Sequence, residues 1–133
     1  MRILESSLYV ADLERSVRFY EELFGFPKLI LDDRLCAFSV SGEQVLLLFR
    51  QGASREPARL PGGMIPSHDG QGQIHLAFSI DGSEIEDWRA RLSERGIEIE
   101  SVIRWERGGM SVYFRDPDGH LLELVTPGCW AIY

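Results

Sequence analysis

Apolar positions in the first half of the chain alternate in several short segments and recur at helical spacing in one. Residues 3–10 alternate between apolar and polar side chains, which predicts a strand. Asp12 is a suitable N-cap for a helix that ends before Gly25 and Pro27. The apolar face of this helix consists of Leu13, Val17, Tyr20 and Phe24. Three further strands are predicted at residues 28–31, 35–40 and 44–49.

The second half repeats this order of elements. Residues 73–80 predict a strand, and Ser83 is the expected N-cap of a helix, with Glu86 as its capping-box partner. The apolar face of that helix consists of Ile85, Trp88 and Leu92, and Gly96 follows its end. Strands are predicted at residues 97–103, 110–115 and 121–126, the last two joined by the turn Asp116-Pro117-Asp118-Gly119. Each half therefore predicts a βαβββ module.

Residues 51–72, here called the connector, separate the two modules. They are rich in Gly, Pro and Arg and show no sustained periodicity. Long irregular segments inside compact domains are usually functional or linkers, so we expect the connector to cross between modules and to lie over a site. The predicted organisation is one domain of 133 residues. It comprises module one at about 1–50, the connector, module two at about 73–127 and a tail at 128–133.

Composition and charge narrow the class of partner. An apolar content of 44% and a charged content of 26% are typical of a globular domain. The net charge of −7 argues against binding to the phosphate backbone of nucleic acids and to anionic membranes. No signal peptide or membrane span is visible, so the expected location is cytoplasmic. Cys36 and Cys129 lie in apolar surroundings outside any CxxC pair and are expected to be buried free thiols.

Three segments resemble the vicinal oxygen chelate superfamily, which includes glyoxalase I, extradiol dioxygenases and the fosfomycin- and bleomycin-resistance proteins. LYVADLERSVRFYEELFGF (8–26) is similar to the family's first strand and helix, and IHLAFSI (74–80) to the first strand of its second module. YFRDPDGHLLELV (113–125) is similar to the final hairpin and is the most specific segment. The resemblance implies an α+β fold of two βαβββ modules with curved mixed sheets around a concave cavity. It also implies a homodimer.

The resemblance further implies where metal ligands lie, namely on the first and last strands of each module. These positions fall on Glu5, Leu47, His75 and Glu123. Glu5 stands where many members have His, and Leu47 stands where glyoxalase I has a carboxylate. Three ligands are therefore expected, Glu5, His75 and Glu123, with Glu5 and Glu123 also as catalytic residues. One imidazole and two carboxylates suit Mn²⁺, Fe²⁺, Ni²⁺, Co²⁺ or Zn²⁺.

Strand alternation agrees with this set of residues. Glu5 shares one strand face with Ser7, and His75 shares one with Ala77 and Ser79, so small neighbours leave room for a cavity. Glu123 lies in an apolar strand and needs a partner, because burying an unpaired charge is costly. Two alternatives require no metal. Arginines could hold the two glutamates, and His75 could be a hydrogen-bonded core histidine.

Other residues are weaker candidates for contact with a substrate. Tyr9, Trp105 and Tyr113 are expected to line a substrate pocket, although aromatic residues in strands more often only pack. His68 is a candidate proton shuttle or ligand contact, or an ordinary loop residue. Arg115 either binds an anionic substrate or clamps the following turn, and the clamp is favoured. His120 is expected to be structural or exposed, and Trp130 and Tyr133 to dock onto the body or a neighbouring subunit.

Three functions follow from these residues. The first is a glyoxalase-like metal-dependent enzyme of the lyase, isomerase or thiol-transferase type. It would act on a small substrate with vicinal oxygens by Lewis-acid stabilisation of an enolate or alkoxide. The second is an extradiol-type dioxygenase, against which Glu5 in place of a histidine counts. The third is a non-catalytic drug-binding protein of the bleomycin-resistance kind, which the acidic charge favours and the retained His75 and Glu123 disfavour.

Overall fold

The computed structural model describes residues 1–132, which form two compact units that divide after Gly72. Each unit contains one α-helix and one mixed four-stranded sheet. Tyr133, which the sequence predicts to dock together with Trp130, lies outside the described residues. Trp130 itself is exposed and does not dock onto the chain's own body.

The first unit follows the predicted order of elements. Its elements are β1 (Glu5–Val10), α1 (Leu13–Phe24), β2 (Lys28–Leu31), β3 (Leu35–Val40), β4 (Gln44–Arg50), β5 (Ala58–Leu60) and β6 (Gly63–Ile65). The sheet has the order β1-β4-β3-β2, with β1 parallel to β4 and the other pairs antiparallel. As predicted, Asp12 caps α1 by accepting from the Arg15 backbone N–H at 3.0 Å. Gly25 ends the helix at a left-handed φ of 71°, which favours glycine.

The second unit has the same topology. Its elements are β7 (His75–Ser79), a 3₁₀ turn (Gly82–Glu84), α2 (Ile85–Glu94), β8 (Ile99–Arg104), β9 (Met110–Arg115) and β10 (Leu121–Val125). The sheet has the order β7-β10-β9-β8, with β7 parallel to β10. Among residues 1–132, no helix combines the length and the apolar composition needed to cross a membrane.

One face of each sheet contributes to an apolar core. In the first unit the buried set comprises Leu8, Val10, Cys36, Phe38, Leu46 and Leu48 from the strands, with Leu13, Val17, Tyr20 and Leu23 from α1. In the second unit it comprises Val112, Phe114, Leu122 and Leu124, with Ile85 and Leu92 from α2. Because strand side chains alternate, the polar positions point to the opposite face of each sheet. This second face of each sheet is called the open face below.

Two local predictions are wrong. The connector is not irregular throughout, because β5 and β6 pair as a hairpin with Ala58 opposite Ile65. Ser83 caps neither helical element of the second unit, since Asp81 is the N-cap of the 3₁₀ turn and Glu84 is the N-cap of α2. The Glu84 carboxylate, three residues on, accepts from the Asp81 backbone N–H at 3.0 Å, where Ser83 and Glu86 were predicted to form this motif.

Candidate metal centre

The open face of the second sheet carries the predicted residues of β7. His75, Ala77 and Ser79 are exposed, while the intervening Leu76 and Phe78 are partly buried, which confirms the predicted alternation. The His75 side chain retains 48% of its accessible surface. It is therefore not a core histidine, and that alternative is wrong.

Glu123 lies on the same face, because Ala77 of β7 and Tyr113 of β9 are its partners in register. The residue is only 6% exposed. Its Oε2 lies 3.1 Å from His75 Nε2, and its Oε1 accepts from the Tyr113 hydroxyl at 3.0 Å. The Ser111 hydroxyl donates to the same Oε1. Glu123 thus has the partners that the sequence required, and they are hydroxyl groups and an imidazole, with no arginine among them.

The hydrogen positions of His75 follow from its two neighbours. Its Nδ1 lies 3.1 Å from the Leu121 carbonyl oxygen, which can only accept, so Nδ1 carries a hydrogen. In the neutral ring Nε2 then presents a lone pair to a carboxylate oxygen, which is also only an acceptor. The contact between Nε2 and Oε2 therefore requires a proton or another cation between the two atoms. A backbone carbonyl that fixes the other ring nitrogen in this way is typical of metal-binding histidines.

Trp105 and Tyr113 hold the carboxylate, although the sequence predicted them as substrate contacts. The Trp105 indole Nε1–H donates to Ser111 Oγ at 2.8 Å, and Ser111 is fully buried. The pKa of Tyr113 is raised, chiefly by burial and also by the adjacent Glu123, so its hydroxyl remains a donor at neutral pH. Sequence reasoning missed Ser111. The signal was the predicted turn after Arg115, which sets the β9–β10 register and so puts Ser111 on the face of Glu123.

A groove with a volume of about 470 Å³ lies in the second unit beside Trp105. Arg104 and Arg107 also line it, as does Cys129 of the tail. Neither arginine side chain has a hydrogen-bond or ion-pair partner within residues 1–132. The groove therefore presents two arginine side chains and the carboxylate of Glu106 next to an indole ring.

Glu5 lies on β1 of the first unit, on the open face of that sheet. It is exposed and has no hydrogen-bond or ion-pair partner in the part of the chain that the structure describes, so the alternative of an arginine partner is not observed. The register of β1 with β4 matches that of β7 with β10. Glu5 therefore corresponds to His75, and Leu47 of β4 corresponds to Glu123.

Tyr9 and His68 meet in the first unit. The Tyr9 hydroxyl lies 2.7 Å from His68 Nδ1, and the His68 ring packs edge-on against Phe49 with ring centroids 4.6 Å apart. The connector is anchored nearby, because Asp69 accepts from the Gly52 N–H at 3.1 Å and pairs with Arg55 at 2.8 Å. His68 therefore lies in an irregular part of the connector, is half-buried and contacts both Tyr9 and Phe49.

Arg115 and His120 have structural contacts. Arg115 donates to the Gly119 carbonyl at 2.9 Å and pairs with Glu100 at 2.9 Å, so the favoured clamp is observed. His120 is buried, and its Nδ1 accepts from the Ile74 N–H at 3.1 Å. Asp116, at the start of the turn, accepts from the His120 N–H at 2.8 Å.

Both cysteines are free, as predicted, but they differ in exposure. Cys36 is buried, which raises the pKa of its thiol to about 11. Cys129 is only partly buried, and the pKa of its thiol is also raised, by desolvation and by Glu123. Neither thiol is therefore activated as a nucleophile.

The donor set of the second unit fits part of a metal site. An imidazole nitrogen and a carboxylate oxygen lie 3.1 Å apart on an open face, and both atom types are ligands of divalent transition metals. Within residues 1–132, no three His, Cys, Asp or Glu side chains form a group that could hold a metal ion. The structure thus brings together His75 and Glu123, and Glu5 as the third ligand stays a prediction.

Two βαβββ units with an imidazole–carboxylate pair on an open sheet face define the class of protein, and comparisons with known proteins agree. The profile of the Glyoxalase/Bleomycin resistance protein/Dioxygenase superfamily matches residues 2–124. The structure is similar to lactoylglutathione lyase from Agrobacterium tumefaciens, with a TM-score of 0.87 and 34% identity over 98% of this chain and 97% of that chain. A metallothiol transferase FosB from Shouchella clausii is 33% identical over 88% of this chain and 74% of that protein.

A more distant structure has the same fold. A virulence protein from Salmonella typhimurium is 30% identical with a TM-score of 0.72, over 95% of this chain and 96% of that chain. The chain belongs to the glyoxalase/bleomycin resistance/dioxygenase superfamily, also called the vicinal oxygen chelate superfamily. The predicted α+β class is confirmed, and the chain is an enzyme of this superfamily.

Proposed function

We propose that the protein is a divalent-metal-dependent, glyoxalase-like enzyme of the lyase, isomerase or thiol-transferase type, acting on a small substrate with vicinal oxygens. The observation that carries this proposal is the contact between His75 Nε2 and Glu123 Oε2 at 3.1 Å, which requires a proton or a cation between two acceptor atoms. The names of the two relatives described above, a lyase and a metallothiol transferase, support the reaction type.

The proposed ligands are His75, Glu123 and Glu5. His75 is oriented through its Nδ1–H, and Glu123 through two hydroxyl donors on Oε1, which leaves Oε2 available. Glu5 has the register position of His75 in the other unit and no competing partner among the described residues. When bound, the metal ion supplies Lewis-acid polarisation of the substrate oxygens.

Glu5 is also the proposed general base. An exposed carboxylate without an ion-pair partner can take a proton from a substrate carbon or thiol and return it. Glu123 is less suited to this role, because its Oε1 already accepts from two hydroxyl groups and its Oε2 faces His75. Glu123 is expected to contribute to catalysis as a metal ligand through Oε2.

The groove beside Trp105 is the proposed site for part of the substrate. Arg104 and Arg107 would attract an anionic group of the substrate, and the indole ring would cover an apolar part. The proposed assembly is a homodimer, as the family resemblance implies.

Replacement of Glu5 tests the proposed function. Glu5→Gln keeps the shape of the side chain but removes the charge and the base. We expect a loss of at least about 100-fold in kcat, either for lactoylglutathione turnover or for metal-dependent thiol transfer to an electrophile. The matched control is Glu22→Gln, also an exposed glutamate of the first unit, which should leave kcat unchanged. Equal activity of the two variants, or no activity of the metal-loaded protein in either assay, would contradict the proposal.

A further inference from the structure

We propose that Trp105 is a positioning residue for the metal pair, and that it acts through the proton of Ser111. This inference rests on the proposed metal centre and goes beyond it, because among the described residues Trp105 makes no hydrogen bond to His75 or Glu123. Its indole nitrogen lies 2.8 Å from Ser111 Oγ, and Ser111 in turn donates to Glu123.

The directions of these hydrogen bonds follow from the chemistry of the groups. An indole N–H can only donate, so the Trp105 contact occupies a lone pair of Ser111 Oγ. An ionised carboxylate can only accept, so the single hydroxyl hydrogen of Ser111 points to Glu123 Oε1. Ser111 is fully buried, so no solvent can replace the indole as a donor to Oγ. Trp105 therefore fixes the rotor of Ser111.

This fixed rotor makes the two oxygens of Glu123 different. Oε1 accepts from Ser111 and from the Tyr113 hydroxyl at 3.0 Å, while Oε2 faces His75 Nε2. Two donors on one oxygen hold the plane of the carboxylate and leave the other oxygen for a cation. Loss of such outer contacts typically lowers metal affinity by about 10- to 100-fold.

Trp105 is well placed to report on the site, because its ring also lines the groove beside Arg104 and Arg107. The turn that carries Trp105 is packed against the start of the tail. A Cβ added at Gly109 would lie 2.7 Å from the Cys129 backbone nitrogen, so the two backbones are in close contact. A backbone hydrogen bond also holds this turn, since the Trp105 backbone N–H donates to the Gly109 carbonyl at 2.8 Å.

The test measures the affinity for Zn²⁺ by calorimetry with a competing chelator. Trp105→Phe removes the N–H and keeps an aromatic ring, and we expect about a 10-fold loss of affinity. Ser111→Ala should lose at least as much. The double variant should be no weaker than Ser111→Ala alone, because Trp105 acts only through Ser111. Trp130→Phe is the matched control, since Trp130 is exposed, and its affinity should equal that of the wild type.

A second measurement keeps Trp105 in place and so does not depend on the folding of the variants. In a Trp88→Phe/Trp130→Phe background, Trp105 is the remaining tryptophan of the three in the chain. Zn²⁺ should change its fluorescence, and His75→Ala should abolish that change.

The outcomes separate this inference from the proposed function. Wild-type affinity in Trp105→Phe, or additive losses in the double variant, would overturn the role of Trp105 while the loss of binding in His75→Ala still supports the metal centre. Trp105 fluorescence that does not change when Zn²⁺ is added to the Trp88→Phe/Trp130→Phe protein would also overturn it. A wild-type protein that binds no Zn²⁺ would overturn both proposals.

Discussion

At the scale of single residues, the buried polar groups around Glu123 have defined hydrogen-bond partners. Glu123 is the clearest case, because one oxygen accepts two hydroxyl hydrogens and the other faces His75. Tyr113 and Tyr9 both have raised pKa values, in each case chiefly through burial. Their hydroxyl groups therefore stay protonated across the neutral range, and that of Tyr113 donates to Glu123.

Cys36 gives a prediction on pH dependence. Burial raises the pKa of its thiol to about 11 from an ordinary 9.0, so the folded state holds the thiol proton more tightly than the unfolded state. The resulting contribution to stability is complete below pH 9 and is lost as pH rises through 11. Allowing for solvent screening, we expect a loss of about 1–2 kcal/mol.

Urea denaturation at several pH values checks this prediction. The free energy of unfolding of the wild type should fall more steeply between pH 9 and 11 than that of Cys36→Ala. The comparison concerns the slopes, because the substitution itself leaves a small cavity that lowers stability at every pH. Equal slopes for the two proteins would show that Cys36 does not contribute to the pH dependence of the free energy of unfolding.

At the scale of elements, the sequence predicts helices and long strands well and short strands poorly. Asp12 and Gly25 mark the ends of α1, and the apolar spacing predicts its buried face, because these signals are local. The hairpin of β5 and β6 was missed because each strand has only three residues, too few to show alternation. The hydrogen bond from Trp105 to Ser111 was not predicted, because it depends on how the chain pairs across β8 and β9.

The connector gives a testable prediction at the scale of elements. Gly70 lies against the Tyr9 ring so closely that an added Cβ would come within 2.5 Å of Cδ2. Gly70→Ala should displace the connector or Tyr9, break the hydrogen bond from Tyr9 to His68 and cost about 1–3 kcal/mol. Limited proteolysis of the connector should be faster in this variant.

Gly62→Ala is the matched control, because Gly62 belongs to the same connector and an added Cβ would meet no atom within 4 Å. It should be cleaved like the wild type. If Gly70→Ala is cut no faster than Gly62→Ala, the packing of Gly70 on Tyr9 does not hold the connector in place.

At the scale of the whole molecule, the two units share a topology but not their chemistry. In register, Leu47, Ala37 and Leu35 of the first unit correspond to Glu123, Tyr113 and Ser111 of the second. The sequence showed the repeat, and its family resemblance predicted a metal ligand on the first strand of each unit. It did not show that the hydroxyl groups around Glu123 belong to one unit alone, because that requires the register of both sheets.

The remaining predictions at this scale concern assembly and reaction. The homodimer stays a prediction, as do the extradiol dioxygenase and drug-binding alternatives. The identity of the bound metal distinguishes the glyoxalase-like reaction from the extradiol dioxygenase reaction, since ring cleavage needs redox-active iron. A protein that binds no metal would favour the drug-binding alternative over both metal-dependent reactions.

The most direct test of the metal centre is the metal content of protein purified without chelators, measured by inductively coupled plasma mass spectrometry for the wild type and for His75→Ala in parallel. We expect close to one divalent ion per chain in the wild type and almost none in the variant, because the variant lacks the nitrogen that faces Glu123 Oε2. Circular dichroism should show the same fold in both. Absence of metal from both proteins, even after reconstitution with manganese, nickel, iron and zinc, would contradict the account and leave His75 and Glu123 as an ordinary hydrogen-bonded pair.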